Sequence, residues 1–171
     1  MKSTFLPRLS LCICGIFASV TVLAAPPPAD VRVHYNHPQQ FTEARHSFGM
    51  QRLRVDDYLK PLKAYIVERA SRILAPGQRL DIEVTDVDLA GEYEPWRGPQ
   101  LNDVRIVKNI YPPRIDLNFT LYGADGKVLR QGSRKLRDAA FLSRSGPTDQ
   151  GSLRYEKALI DRWLRKGSGQ L

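Results

Sequence analysis

The chain has little sulfur and few long apolar runs. Of 171 residues only two are cysteine and two methionine. Both cysteines, Cys12 and Cys14, lie in the apolar run from Leu9 to Leu23. That run is shorter than the about 20 apolar residues of a spanning helix, and Ser10, Gly15 and Ser19 interrupt it. Lys2 and Arg8 precede its apolar centre, while Ala24, Ala25 and the prolines Pro26, Pro27 and Pro28 follow it. This is the order of a cleavable secretory signal peptide. Cleavage after Ala24 puts Val22 and Ala24 in the small-residue positions and keeps Pro26 away from the first mature position. The sequence therefore predicts a signal peptide over 1–24, export to a bacterial periplasm, and no transmembrane anchor after cleavage. Neither cysteine follows a small residue beyond the apolar run, so no lipid attachment is expected. Removing both excludes disulfides, thiol nucleophiles and cysteine metal sites from the mature chain, even in a compartment that permits disulfides.

Other absences narrow the chemistry. There is no G-x-S-x-G elbow, no H-E-x-x-H helix and no phosphate-cradling glycine loop. No nucleic-acid-binding module accompanies the basic residues. The sequence thus leans away from an enzyme, and calls for no cofactor and no nucleic-acid partner.

The remaining 171 − 24 = 147 residues suit one domain, able to bury a core without covalent staples. Without Lys2 and Arg8, 24 basic residues face 18 acidic ones, a mature net charge of +6. The charge is unevenly spread. Residues 80–103 carry seven acids against Arg97 alone, a balance of −6, whereas from Gly126 onward eleven Lys and Arg face four acids, a balance of +7. In an exported protein, a basic C-terminal segment fits an acidic envelope protein or an anionic envelope component as partner; a solvated basic helix face is the plainer explanation. The oligomeric state has no signature in the sequence.

Periodicity organises the rest. Val31, Val33 and Tyr35 alternate with Arg32, His34 and Asn36, predicting a strand over 30–36 that Pro38 ends. Val55, Leu59, Leu62, Ile66 and Ile73 form one stripe at helical spacing, closed by Ala75, Pro76 and Gly77. Leu80, Ile82 and Val84 alternate with acids before the apolar phase slips by one to Val87 and Leu89, which predicts a bulge near Asp86. Gly91 to Pro99 reads as a loop, with a short extended segment around Ile106 and Ile110. Ile115, Leu117, Phe119 and Leu121 mark the clearest strand, and the turn at 123–126 closes it into a hairpin over 128–136. Residues 143–152 read as a loop, and Leu153, Leu159, Ile160, Trp163 and Leu164 mark a final helix. The expected fold is a single α+β domain over 25–171 with a short proline-rich N-terminal spacer. Its antiparallel sheet of about four strands carries two helices on one face.

Phe41-Thr-Glu-Ala, the run from Leu80 to Tyr93, Ile110-Tyr-Pro-Pro-Arg-Ile-Asp-Leu and the run from Leu153 to Leu164 together resemble the bacterial family catalogued as domain of unknown function 3016. The resemblance covers nearly all of the mature chain and implies an exported bacterial protein. It supplies no activity, ligand or catalytic residue. Glu43 stands where the family pattern leads one to expect aspartate.

Two groups of residues invite a functional reading. Asp86, Asp88, Glu92 and Glu94 crowd into one strand end and loop, the material of a two-carboxylate hydrolase. Asp86, Asp88 and Gly91 match only the first, third and sixth places of a calcium loop, so no metal site is expected. His34, His37 and His46 are close in sequence but straddle a strand end, and read as solvent-facing side chains. The second group is Tyr93, Trp96, Arg97, Asp103, Arg105, Tyr111 and Arg114, where aromatic and basic side chains occur together as in protein or sugar contacts. Trp96 either projects as a contact or folds back as a lid over the core. The leading expectation is a non-enzymatic periplasmic binding or envelope-assembly module; a periplasmic hydrolase using the acidic cluster is the alternative.

Overall fold

A computed structural model describes residues 29–46, 54–144 and 151–171. The expected signal peptide, the proline spacer and both cysteines lie outside the described residues. Strand β1 (Asp30–Tyr35) leads through the short helix α1 (Thr42–His46) to α2 (Val55–Ser71) and then β2 (Arg79–Asp88). The two-residue strands β3 (Glu92–Tyr93) and β4 (Arg105–Ile106) follow, then β5 (Arg114–Tyr122), β6 (Val128–Arg137), the single turn α3 (Phe141–Arg144) and α4 (Arg154–Leu164).

The main sheet has the order β1-β2-β5-β6 and is mixed. The expectation of an antiparallel sheet fails at one edge: β1 runs parallel to β2, Asp30 opposite Arg79 and Tyr35 opposite Val84. Parallel neighbours need a long crossover, and α2 lies within the one that joins them. The remaining pairs are antiparallel, with β5 and β6 forming the expected hairpin. The bulge is also found, as a register shift between Val84 and Asp86. The extra residue, Thr85, lets both Val84 and Val87 point into the core.

Alternation sets the two sides of the sheet. Leu80, Ile82, Val84 and Val87 of β2 and Ile115, Leu117, Phe119 and Leu121 of β5 are all buried, in one core cluster with Leu59, Leu62 and Ile66 of α2 and Leu159, Ile160 and Trp163 of α4. Alternate residues make a polar ladder on the opposite side. Glu83 accepts from Asn36 and Asn118, each at 3.0 Å, and the Ser133 hydroxyl donates to Asn118 at 2.6 Å. Helix α2 starts two residues before Asp57, whose carboxylate accepts the Arg54 N–H at 3.1 Å, and Pro61 falls in its second turn. Helix α3 occupies the start of the expected 143–152 loop, of which 145–150 lie outside the described residues. Arg130 and Arg134 of β6 donate to the carbonyls of Gly169 and Leu171, fastening the tail against the edge strand.

A candidate contact surface held by a buried carboxylate

The segment between β2 and β5 is more ordered than a Gly- and Pro-rich loop suggests. Glu92 pairs with Ile106 and Tyr93 with Arg105 in a small antiparallel ribbon. Gly91 makes the approach possible: its φ is +87°, and a Cβ there would stand 2.9 Å from the Ile106 carbonyl oxygen. Its N–H donates to Tyr111 at 3.0 Å, tying the ribbon to the start of β5.

Glu94 organises what comes next. Its side chain is 2% exposed. One carboxylate oxygen accepts from Lys108 Nζ at 2.5 Å and from the Tyr111 hydroxyl at 3.0 Å; the other accepts from Arg97 Nε. The Lys108 hydrogen bond, with those of Tyr111 and Arg97, outweighs burial and holds the Glu94 carboxyl below its usual range. Burial and the bond to Glu94 move the Tyr111 phenol upward. Two stretches of chain, 94–97 and 108–111, therefore meet on one anion. Their immediate neighbours turn outward: Trp96, next to Arg97, is 71% exposed, and Ile110, next to Tyr111, is 63% exposed. Trp96 projects; it is no lid over the core.

A second buried network anchors this ribbon to the body of the protein. Arg105 donates to Glu43 of α1 through one terminal nitrogen and to the carbonyl of Gly91 at 2.8 Å through the other, which also lies near the carbonyls of Leu89 and Ala90. Its guanidinium stacks 4.8 Å from the Tyr93 ring centre. Glu43 also accepts the Leu89 N–H at 3.1 Å, and Glu156, the third residue of α4, accepts the Ala90 N–H at 2.7 Å. Burial is the largest influence on Glu156 and raises its pKa, against the lowering effect of that N–H. Its contribution to folding is therefore fullest below the unfolded carboxyl pKa and is lost as pH rises through the raised native value. A Glu156→Gln chain keeps an acceptor for Ala90 and cannot ionise. We expect it to match the wild type near pH 4 and to become relatively more stable toward pH 8, measured as thermal midpoints of both proteins across that range.

Of the seven residues singled out from sequence, Arg97 and Tyr111 meet on Glu94, and Tyr93 stacks with Arg105. Trp96 and Asp103 are exposed, and Arg114 lies 3.7 Å from Asp88. The sequence reading missed Lys108 and Ile110, and it missed the anchoring role of Glu43 and Glu156. A signal existed for Glu156, which sits three and four residues before Leu159 and Ile160 on the apolar stripe of α4.

The acidic cluster does not converge. Asp86 accepts from the Thr42 N–H at 2.6 Å and its hydroxyl at 2.7 Å, at the start of α1. Glu92 lies 3.1 Å from His46, and Glu94 holds the loop. Asp88 is moved upward by burial, with Arg114 opposing and the charges of Glu43 and Glu92 adding to the rise. Among the described residues no group of three or more His, Cys, Asp or Glu stands where it could hold a metal ion. His34 is exposed and His37 lies against Asn36. The basic C-terminal segment is partly turned inward: Arg162 and Arg144 reach the buried Asp138 at 2.5 and 3.2 Å. Burial opposes ionisation of Asp138, but these cations and the Ala140 N–H prevail and keep its pKa low. No helix among the described residues is long and apolar enough to cross a membrane.

Residues 29–166 match the model of the family described as "Protein of unknown function (DUF3016)". The chain belongs to that family. The match takes in every strand of this DUF3016 protein and α1 to α4, so the Glu94 hub and the Glu43–Arg105–Glu156 network both lie inside the family region. No curated protein matches the chain.

Proposed function

We propose that this DUF3016 protein is a non-enzymatic binding module of the bacterial envelope, exported to the periplasm, that grips a protein partner through the surface around Trp96 and Ile110. One observation carries the reading: a large aromatic and a branched aliphatic side chain stand in solvent on a segment whose conformation is fixed beneath them by a fully engaged buried carboxylate. Aromatic anchors held ready in this way lose little conformational freedom on association, and Trp and Arg are the residue types that dominate contact energetics. Export rests on the basic, apolar and small-residue order of the first 24 residues. An anionic envelope component is the other partner class compatible with the basic surplus. A hydrolase gains no support, because Asp86, Asp88, Glu92 and Glu94 are each engaged with a different group.

Crosslinking in the native envelope, followed by identification of what is captured, tests this proposal. The Trp96→Ala, Ile110→Ala double variant is expected to lose at least tenfold of the specific capture while its thermal midpoint stays within about 2 °C of wild type, since both side chains stand in solvent outside the Glu94 hub and exposed substitutions change stability by about 0.5 kcal/mol or less. Undiminished capture by the double variant would exclude this surface.

A further inference from the structure

The last turns of α2 and α4 share an open cleft of about 400 Å³, lined by Arg69, Arg72, Ile73, Asp161, Leu164 and Arg165. Spacing gathers the charges there. Arg69 and Arg72 are three residues apart on α2, and Arg165 follows Asp161 by four residues on α4, so each pair shares one helix face. All three arginines are accessible: the Arg69 side chain is 37% exposed, that of Arg72 60%, and Arg165 is exposed. The one acid in the lining is already engaged. Asp161 Oδ1 accepts from Arg69 Nε at 2.7 Å, and Oδ2 accepts from the Tyr65 hydroxyl at 2.8 Å. This fixes one edge of the Arg69 guanidinium and leaves its two terminal nitrogens without an acceptor among the described residues. The Arg165 side chain likewise has no hydrogen bond or ion pair there, while Arg72 pairs with Glu68. Cations are expected where two helices end, because each C-terminus carries roughly −0.5 elementary charge. Here they exceed that need. Arg69, Arg72, Arg165 and the adjacent Lys166 face Asp161 and Glu68, a balance of +2, and the two helix ends offset about one charge of it.

We infer that this cleft binds the phosphate group of a small phosphate ester, whose oxygens accept from Arg69, Arg72 and Arg165. A tetrahedral phosphate presents oxygens to guanidinium groups set around it on two helices, whereas a planar carboxylate is satisfied by one fork. The volume falls within the roughly 300–1,000 Å³ of small-molecule sites and leaves room beyond the phosphate itself. Ile73 and Leu164 give the organic part of the ester an apolar wall. A soluble phosphate ester and a phospholipid headgroup offer this same chemistry. The cleft is built from α2 and α4 and is independent of the Trp96 surface.

The test is calorimetric titration of the full chain with glycerol 3-phosphate and with acetate at constant ionic strength, beside cosedimentation with phosphatidylcholine vesicles made with and without phosphatidylglycerol. Glycerol 3-phosphate bound at least tenfold more tightly than acetate, with no capture by vesicles, identifies a soluble ester; capture only by vesicles that contain phosphatidylglycerol identifies a lipid headgroup. Whichever binds, Arg72→Gln with Arg165→Gln is expected to weaken it at least tenfold with an unchanged thermal midpoint, since both positions are exposed. Lys60→Gln with Lys127→Gln removes the same charge at exposed positions outside the cleft and is expected to leave binding intact. Absence of binding to either phosphate source, acetate bound as tightly as glycerol 3-phosphate, or equal losses in the two double variants would each overturn the inference and leave arginines that only offset two helix ends.

Discussion

Replacing Arg105 by methionine is expected to remove about 3–5 kcal/mol of folding stability, the usual cost of breaking a buried ion pair from one side. Arg105 is mostly buried and Glu43 is 1% exposed, so the variant takes from the interior Glu43 carboxylate the guanidinium it is paired with. The carbonyl of Gly91 loses its donor in the same step, and the Tyr93 ring loses the cation stacked on it. Domains of this size have about 5–15 kcal/mol in total, so about a fifth or more of the stability is at stake. Urea denaturation of the two proteins measures it. The diagnostic companion is Glu43→Leu with Arg105→Met, which removes both charges together. If the loss comes from a stranded carboxylate, this double variant recovers a large part of it; if it comes from packing around the ribbon, the double variant is no better than the single one.

The second large effect is expected at Phe119. This residue is 2% exposed, faces Trp163 of α4 at a centroid distance of 5.9 Å, and lies 5.0 Å beneath the Arg134 guanidinium. Phe119→Ala removes the contact joining the middle of β5 to α4 and opens a cavity too well supported to collapse, a change that costs about 3–5 kcal/mol. Trp163 fluorescence provides the readout. The indole should move to a more polar emission in the folded variant, and the urea midpoint should fall with little change in slope. A loss under 1 kcal/mol would mean that α4 closes the gap by shifting onto the sheet.

The elements that could be read from sequence were those whose signal is local. Period-two alternation located β1, β2 and β5, the phase slip at Val87 located the bulge, and the turn at 123–126 located the hairpin. Pairing direction is not local. Val31 and Val33 alternate in the same way whether β1 runs with or against β2, and the crossover through α2 decides it. Of ribbon β3–β4, the Ile106 side was expected as a short extended segment; its pairing with Glu92 and Tyr93 escaped notice because two-residue strands have no period. The site followed the same division. Composition alone picked out the stretch that bears Trp96 and Arg97, but whether the indole projects depends on where Glu94 goes. The four acids looked like one cluster because they are neighbours in the chain; Asp86 and Asp88 share a face of β2 but reach Thr42 and Arg114, and beyond the turn at Gly91 Glu92 and Glu94 reach His46 and Lys108.

The parallel edge also sets an order of assembly. Partners across the β5–β6 hairpin can be six residues apart (128 − 122), those across β2–β5 lie 26 to 43 apart (114 − 88 and 122 − 79), and those across β1–β2 all lie 49 apart (79 − 30). The entropic cost of closing a loop grows with its length, so the hairpin is the least costly nucleus and β1 the most costly addition. The strand made first is thus the one joined last: β1 leaves the synthesis machinery with no neighbour, and its backbone groups depend on water until residues 79–84 have followed it out.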